Sequence, residues 1–173
     1  CVNLDVPTEP VVETGLEFFN HMLAQIGTHG NIGLSINTTG DLQVDEHHTI
    51  EDTGIVLGEA LKKAIGSKHG IGRYAFVLPM DESLAMVARD FGGRPTFEFD
   101  ADFTRDKVGD MPTEMVSHFF ESLAHAAGMT LHMSVTGEND HHQIESLFKG
   151  FARALRSAIA KTGSGLPSTK GAL

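Results

Sequence analysis

The stretches DEHHTIED (residues 45–52) and NDHHQIES (residues 139–146) each set two adjacent histidines three residues ahead of a glutamate. On a helix, residues i and i+4 share a face, whereas i and i+1 diverge by about 100°. His47 therefore points with Glu51, and His141 with Glu145, while His48 and His142 point elsewhere. One ion cannot gather both histidines and the glutamate of a single helix without distortion. The pattern instead predicts two ions shared among several elements, as a dinuclear arrangement or as sites built across contacts between helices or subunits. One HHxxE alone is more often a pair of solvated surface imidazoles. Two copies, each preceded by a further helix-borne histidine (His21 and His118), favour metal binding. Imidazole and carboxylate donors without a thiolate suit Mn, Fe, Co, Ni or Zn and exclude a Cys-type structural zinc site. Together His21, His47, His48, Glu51, His118, His141, His142 and Glu145 supply four protein ligands to each of two ions, leaving two octahedral positions open for substrate or water.

Other polar residues line up behind these. His21, Gln25 and His29 are spaced i, i+4, i+8 along one face, opposite the phenylalanines, so Gln25 and His29 either flank the metal that His21 holds or sit on the surface. His118, Ser122 and His125 make a similar, weaker row. His69 and His132 carry no spacing signal and are taken as structural. Arg73 lies in the Gly-flanked GIGRY, Arg94 in FGGRP, and Ser168, Thr169 and Lys170 in PSTKG. A guanidinium fork, an ammonium and two hydroxyls suit a phosphate, but only if the fold brings them together.

The elements that must position these residues repeat. Sliding the chain by 94 positions lays His47, His48, Ile50 and Glu51 on His141, His142, Ile144 and Glu145, and Ala60, Leu61, Ala64 and Ile65 on Ala154, Leu155, Ala158 and Ile159. Upstream, FFNHMLAQIGTHG resembles MVSHFFESLAHAAG, with His21 opposite His118 at an offset of 97. Identities that coincide with both the chemistry and the apolar spacing indicate an internal duplication. Helices are expected over about 15–27, 47–65, 112–127 and 141–161, the first carrying an apolar stripe of Leu16, Phe19, Met22, Leu23 and Ile26. IGLSI and DLQV suggest a hairpin closed near Thr39-Gly40, and YAFVLP, LAMVARDF, TFEF and TLHMSV read as strands. The tail GSGLPSTKGAL reads as irregular. The expected fold is α+β: one domain, residues 1–173, made of two pseudo-repeats (about 1–90 and 91–173), each a β-rich sheet backed by paired helices.

Bulk composition narrows the function classes. A chain of 173 residues, 40% apolar, with 19 glycines is an ordinary globular protein. Its formal charge of −10 argues against nucleic-acid or anionic-membrane binding, though not against a local basic pocket. No apolar run approaches the roughly 20 residues that span a bilayer, and no signal peptide opens the chain. The single cysteine, Cys1, excludes an internal disulfide framework and fits a reducing, cytoplasmic setting. A start at Cys rather than Met suggests residues upstream.

From end to end the chain resembles imidazoleglycerol-phosphate dehydratase of histidine biosynthesis. The resemblance rests on FFNHMLAQIGTHG, DEHHTIEDTGIVLGEAL, GIGRYAFVLPMDESLA, GGRP, HFFESLAHAAGMTLH, GENDHHQIESLFKGFARALR and LPSTKG, which occur in the family's order. It implies a duplicated βα fold of the ribosomal-protein-S5-domain-2-like type, with two four-stranded sheets each packed on paired helices. It implies loss of water from imidazole glycerol phosphate to give imidazole acetol phosphate, and trimers that build a 24-subunit shell with metal sites at subunit contacts. One Mn2+ is expected on His21, His48, His141 and Glu145, and a second on His47, Glu51, His118 and His142. Gln25 and His29 match substrate-contacting positions. Arg73, Arg94, Ser168, Thr169 and Lys170 match those that clasp the phosphate, some from neighbouring subunits. Two cations on the substrate ring would acidify the adjacent C–H and assist departure of the hydroxyl.

Three departures stand out. The family usually has Asp at Asn20, and its tail more often carries Ser at Thr169. The glutamate linked to proton transfer normally lies upstream of Cys1, which leaves the general base unnamed and allows an upstream histidinol-phosphate phosphatase domain. The competing expectations are a dinuclear metallohydrolase of a small phosphorylated substrate and a shell protein whose metals only join subunits.

Overall fold

The computed structural model describes residues 1–75 and 78–173. Four helices carry the histidine motifs: α1 (Glu17–Gly30), α2 (His47–Ile65), α3 (Glu114–Ala127) and α4 (Asp140–Ile159). Each lies within two residues of its expected ends except the end of α1, which runs on to a left-handed cap at Asn31 (φ 50°). α3 ends alike at Gly128 (φ 64°), the position 97 residues on. All five residues of the anticipated α1 stripe are buried.

The strands fall into two related sheets. In the first, β3 (Gly33–Asn37) runs between β1 (Val2–Asn3), antiparallel, and β2 (Val11–Glu13), parallel. In the second, β10 (Thr130–Thr136) runs between β6 (Ser83–Asp90), antiparallel, and β7 (Thr96–Asp100), parallel. The two sheets share one topology, with β3 matching β10. The second adds β4 (Tyr74–Ala75) and β5 (Leu78–Met80), which pair with opposite ends of β6. It is thus four strand positions wide, whereas the first holds three strands among the described residues. The strand expected over YAFVLP corresponds to β4 and β5, with Phe76 and Val77 outside the described residues. A short hairpin of β8 (Lys107–Val108) and β9 (Met111–Pro112) precedes α3.

The hairpin expected from IGLSI and DLQV does not form. Both edges of β3 are already taken by β1 and β2, so Asp41–Val44 has no strand to pair with. It closes instead into a turn in which the Val44 amide donates to the Asp41 carbonyl at 2.7 Å.

The helices pack across the repeats, α1 with α4 and α2 with α3. Both pairs run parallel: His21 lies by Glu145 at one end of its pair and Gly30 by Ala152 at the other. In the second pair Gly54 abuts Phe119 and Gly58 abuts Leu123. A Cβ on Gly58 would stand 2.5 Å from the Leu123 carbonyl oxygen, so the α2–α3 approach requires glycine there. A phenylalanine cluster fills the space beneath. Phe119 meets Phe19 edge-on at 5.4 Å and stacks on Phe148 at 5.3 Å, while Phe120 packs on Phe148 and Phe151. Rings drawn from α1, α3 and α4 thereby fix the relative height of the helices that carry the histidines.

Candidate metal and substrate site

Both HH helices begin in the same way. The Asp45 side chain accepts from the His47 amide at 2.9 Å, and the Asn139 side chain from the His141 amide at 3.0 Å. These two positions are again 94 apart. Each bond ties down one of the free amides of a helix first turn and so fixes where the first histidine of each pair begins.

At the head of α1 and α4, ligand atoms of His21, His141 and Glu145 all lie within 4.8 Å of one another, the one such trio among the described residues. His141 Nε2 stands 3.2 Å from Glu145 Oε2, as their i, i+4 spacing requires, and His21 Nε2 stands 3.9 Å from Glu145 Oε1. Phe18 packs edge-on against the His141 ring at 5.2 Å and limits its rotation. Glu145 is nearly buried, and burial alone would raise its pKa. The hydrogen bond and charge of Lys149, 2.7 Å away, and the charges of His21 and His141 more than offset this and hold it below the usual carboxylate range. Two imidazole nitrogens and an ionised carboxylate form the donor set of a divalent transition-metal site.

The equivalent place on α2 and α3 holds His47, Glu51 and His118. His47 Nε2 is 3.3 Å from Glu51 Oε2, and the His47 and His118 rings are 5.0 Å apart. This trio is looser than the first. His47 also borders a cavity of about 480 Å³.

The second histidine of each pair turns away. The His47 and His48 rings are 6.0 Å apart at 82°, and those of His141 and His142 are 6.1 Å apart at 85°. Each outward ring is steered by a carboxylate that the sequence did not single out. His48 Nδ1 donates to Asp41 at 2.9 Å, and His142 Nδ1 donates to Glu82 at 2.9 Å. These bonds raise the pKa of both histidines, lower that of Asp41 and hold Glu82 at about 2. A carboxylate on Nδ1 fixes the tautomer that keeps Nε2 free for a metal. Neither His48 nor His142 belongs to the compact trio of its own chain.

Along α1 the polar row continues inward. The Gln25 amide nitrogen lies 3.3 Å from His21 Nε2, and His29 Nε2 donates to Gln25 Oε1 at 3.0 Å. Burial, together with the charges of Lys149 and Arg153, lowers the pKa of His29, so its neutral ring is favoured at neutral pH. Asn20 keeps the acceptor role open to an aspartate there, taking hydrogen bonds from the Thr14 amide at 2.9 Å and the Thr14 hydroxyl at 2.7 Å.

Arg73, Arg94, Ser168, Thr169 and Lys170 line one cavity of about 570 Å³, shared with Tyr74. Arg73 sits in a left-handed conformation (φ 69°) and forks onto Asp90, with Nη2 2.8 Å from Oδ2, while its Nη1 donates to the Pro167 carbonyl at 2.8 Å. Lys68, which no spacing singled out, donates to the Phe91 carbonyl at 2.9 Å and secures the start of the Gly92-Gly93 segment that leads to Arg94. The chain could have signalled it only through its nearness to GIGRY. The Arg73 amide donates to the Ala158 carbonyl, so this cavity lies at the far end of α4 from His141. Seventeen residues separate His141 from Ala158 on α4, or about 25 Å at about 1.5 Å per residue.

The family model for imidazoleglycerol-phosphate dehydratase matches residues 14–155. The chain belongs to this family. Its curated relatives include the histidine biosynthesis bifunctional protein HisB of Stenotrophomonas maltophilia strain K279a, 59% identical over 172 residues, and that of Xanthomonas campestris pv. campestris strain B100, 55% identical over 190. Each match covers 99% of this chain, which spans about half the length of those relatives (48% and 51%). Among solved structures, imidazoleglycerol-phosphate dehydratase from Staphylococcus aureus superposes with a TM-score of 0.86 at 39% identity, covering 93% of this chain and 92% of that one. The Pyrococcus furiosus enzyme does so at 0.83 and 31%, covering 99% and 95%. The duplicated α+β fold expected from the motifs is the dehydratase fold of these structures. Among the described residues, no helix is long and apolar enough to cross a membrane.

Proposed function

We propose that this chain dehydrates D-erythro-imidazole glycerol phosphate to imidazole acetol phosphate, as a hydro-lyase of histidine biosynthesis, with two Mn2+ ions per active site. The observation that carries this is the convergence of His21, His141 and Glu145 on one point, with His47, Glu51 and His118 at the equivalent place in the other repeat. The residues fit the metal: all donors are imidazole or carboxylate, and each trio leaves coordination positions open. Bound there, divalent cations supply Lewis acidity toward the imidazole ring and the departing hydroxyl.

The protein's own groups do the rest. Gln25 and the neutral His29 offer hydrogen bonds beside the first trio, where a glycerol chain can be oriented. Arg73, Arg94, Ser168, Thr169 and Lys170 clasp the phosphate and hold the chain in register for elimination. Within one chain the clasp and the trio stand about 25 Å apart along α4. The substrate extends over only a few bonds of about 1.5 Å each. One chain therefore cannot hold both ends of it, and the clasp comes from a neighbouring subunit. The outward His48 and His142, with free Nε2 atoms, are then the fourth ligands that neighbours exchange: His48 joins the His21 trio, and His142 joins the His47 trio. Self-association into trimers and a 24-subunit shell would satisfy both needs.

Residues 1–173 form one such domain, and the matching topologies of the two sheets favour a division of the repeats between Gly66 and Tyr74, ahead of the boundary near residue 90 that the sequence suggested. A cytoplasmic location suits a biosynthetic enzyme of this kind.

The test is an assay of the natural full-length protein loaded with Mn2+, following imidazole acetol phosphate. Steady product formation that is abolished by Glu145→Gln is expected. A manganese-loaded, folded protein that forms no product would refute the assignment.

A further inference from the structure

A second basic cavity shares one residue, Arg153, with the surroundings of His29 and otherwise lies apart from the residues used above. About 430 Å³ in volume, it is lined by Arg153, Arg156, Ser157 and Lys161 from the end of α4 and just beyond, and by Leu4 and Asp5 next to β1. It shares no lining residue with the cavity of Arg73 and Arg94. The three cations have no carboxylate within 4.0 Å among the described residues, although the chain as a whole carries ten excess negative charges. Two of them are held in place by backbone: Arg156 Nη1 donates to the Asn31 carbonyl at 3.1 Å, and Lys161 Nζ to the His69 carbonyl at 3.1 Å.

Cations gather at helix C-termini for a simple reason, and that contribution must be subtracted first. α1 ends beside Asn31 and α4 ends at Ile159, and each C-terminus is equivalent to roughly half a negative charge. Two helix ends and the Asp5 carboxylate offset about two of the three positive charges. A surplus of about one remains, concentrated in a concave site with a serine hydroxyl and the apolar side of Leu4 at its rim. Arg153 and Arg156, one turn apart on the same helix, can present two guanidinium groups to one tetrahedral oxyanion.

We propose that this cavity is a second anion site that takes the phosphate group of a small molecule, independently of the substrate clasp. It is distinct in chemistry from the metal trio, since none of its lining residues is a metal donor apart from Asp5.

Equilibrium dialysis of the chain against labelled inorganic phosphate tests this, comparing the unaltered protein with Arg153→Gln/Arg156→Gln and with Arg94→Gln. The double variant is expected to bind one phosphate fewer per chain, or to bind it at least tenfold more weakly. Arg94→Gln should leave that site unchanged. Lys161→Gln, which keeps both arginines, should weaken the same site by a smaller factor and guards against a folding defect in the double variant. Phosphate binding by the double variant equal to that of the unaltered chain overturns the proposal. So does a single class of phosphate that Arg94→Gln removes entirely. Retention of all phosphate by Arg94→Gln counts against the substrate clasp alone, so the two assignments fail separately.

Discussion

Asp41 and Glu82 show how much of a histidine's role is set by its neighbour. Each carboxylate accepts a hydrogen bond from Nδ1–H of an outward ring, and each raises the pKa of that ring. The sign of the linkage follows. A raised imidazolium pKa contributes stability that is complete below the unfolded value and fades as pH climbs through the folded one. The depressed carboxylates contribute above their unfolded values and lose that contribution as pH falls toward the folded ones. His48 is exposed and His142 half-buried at the surface, so the effect on ligation matters more than the effect on folding. Glu82→Gln is expected to return the His142 titration toward the ordinary histidine value in the metal-free chain, followed by the ring C–H resonances in NMR. An unmoved midpoint would mean that the 2.9 Å contact does not persist in solution. In the loaded protein the same variant should weaken metal binding by about 10–100-fold, the usual effect of removing a ligand's hydrogen-bond partner. The i, i+4 rule made His47 with Glu51 and His141 with Glu145 legible from the sequence alone. Asp41 and Glu82 were not legible, because they stand 7 and 60 residues from their histidines, at separations with no common period.

At the scale of elements, β6 carries an anomaly that the apolar alternation of SLAMVARD conceals. Arg89 points inward, fully buried, with its guanidinium over Phe91 at 4.2 Å and Phe151 at 4.9 Å. Its Nε and Nη1 have no hydrogen-bond partner among the described residues, and burial lowers its pKa to about 9. An unpaired buried cation is costly, and a flexible apolar side chain of similar length fits the same slot. Arg89→Met is expected to stabilise the fold by about 1–4 kcal/mol, raising Tm by several degrees in calorimetry. A lower Tm would show that the two ring contacts outweigh the desolvation. Gly58→Ala should act in the opposite sense, destabilising by about 1–3 kcal/mol in a denaturant titration, because α2 must back away from the Leu123 carbonyl. Helices were legible in the sequence because 3.6-residue periodicity survives over 14 to 20 residues. The strands of the first sheet were less so. β1 and β2 are two and three residues long, too short to show alternation, and the missing pair of free edges on β3 is a tertiary fact.

For the whole molecule, the distance along α4 decides more than any contact. If Arg73, Arg94 and the tail clasp the phosphate as proposed, the trio of His21, His141 and Glu145 and that clasp occupy opposite ends of one helix, and a working site would draw on more than one chain. If neighbours exchange His48 and His142, stripping the divalent ions should shift the protein to smaller species in size-exclusion chromatography with light scattering, and restoring Mn2+ should reverse it. A mass that does not change on chelation would separate assembly from metal binding. The motifs singled out Arg73, Arg94, Ser168, Thr169 and Lys170 one by one. That they share a single cavity depends on the tail folding back past Arg73, which no local pattern encodes.

The right-angle step from His47 to His48, repeated from His141 to His142, has a genetic corollary. If neighbouring chains exchange His48 and His142 as proposed, a copy stripped of its two outward rings would keep its own inner donors yet leave its neighbours short of theirs. On that proposal, a minority of such faulty chains blended with sound copies in one assembly would silence sites beyond their own.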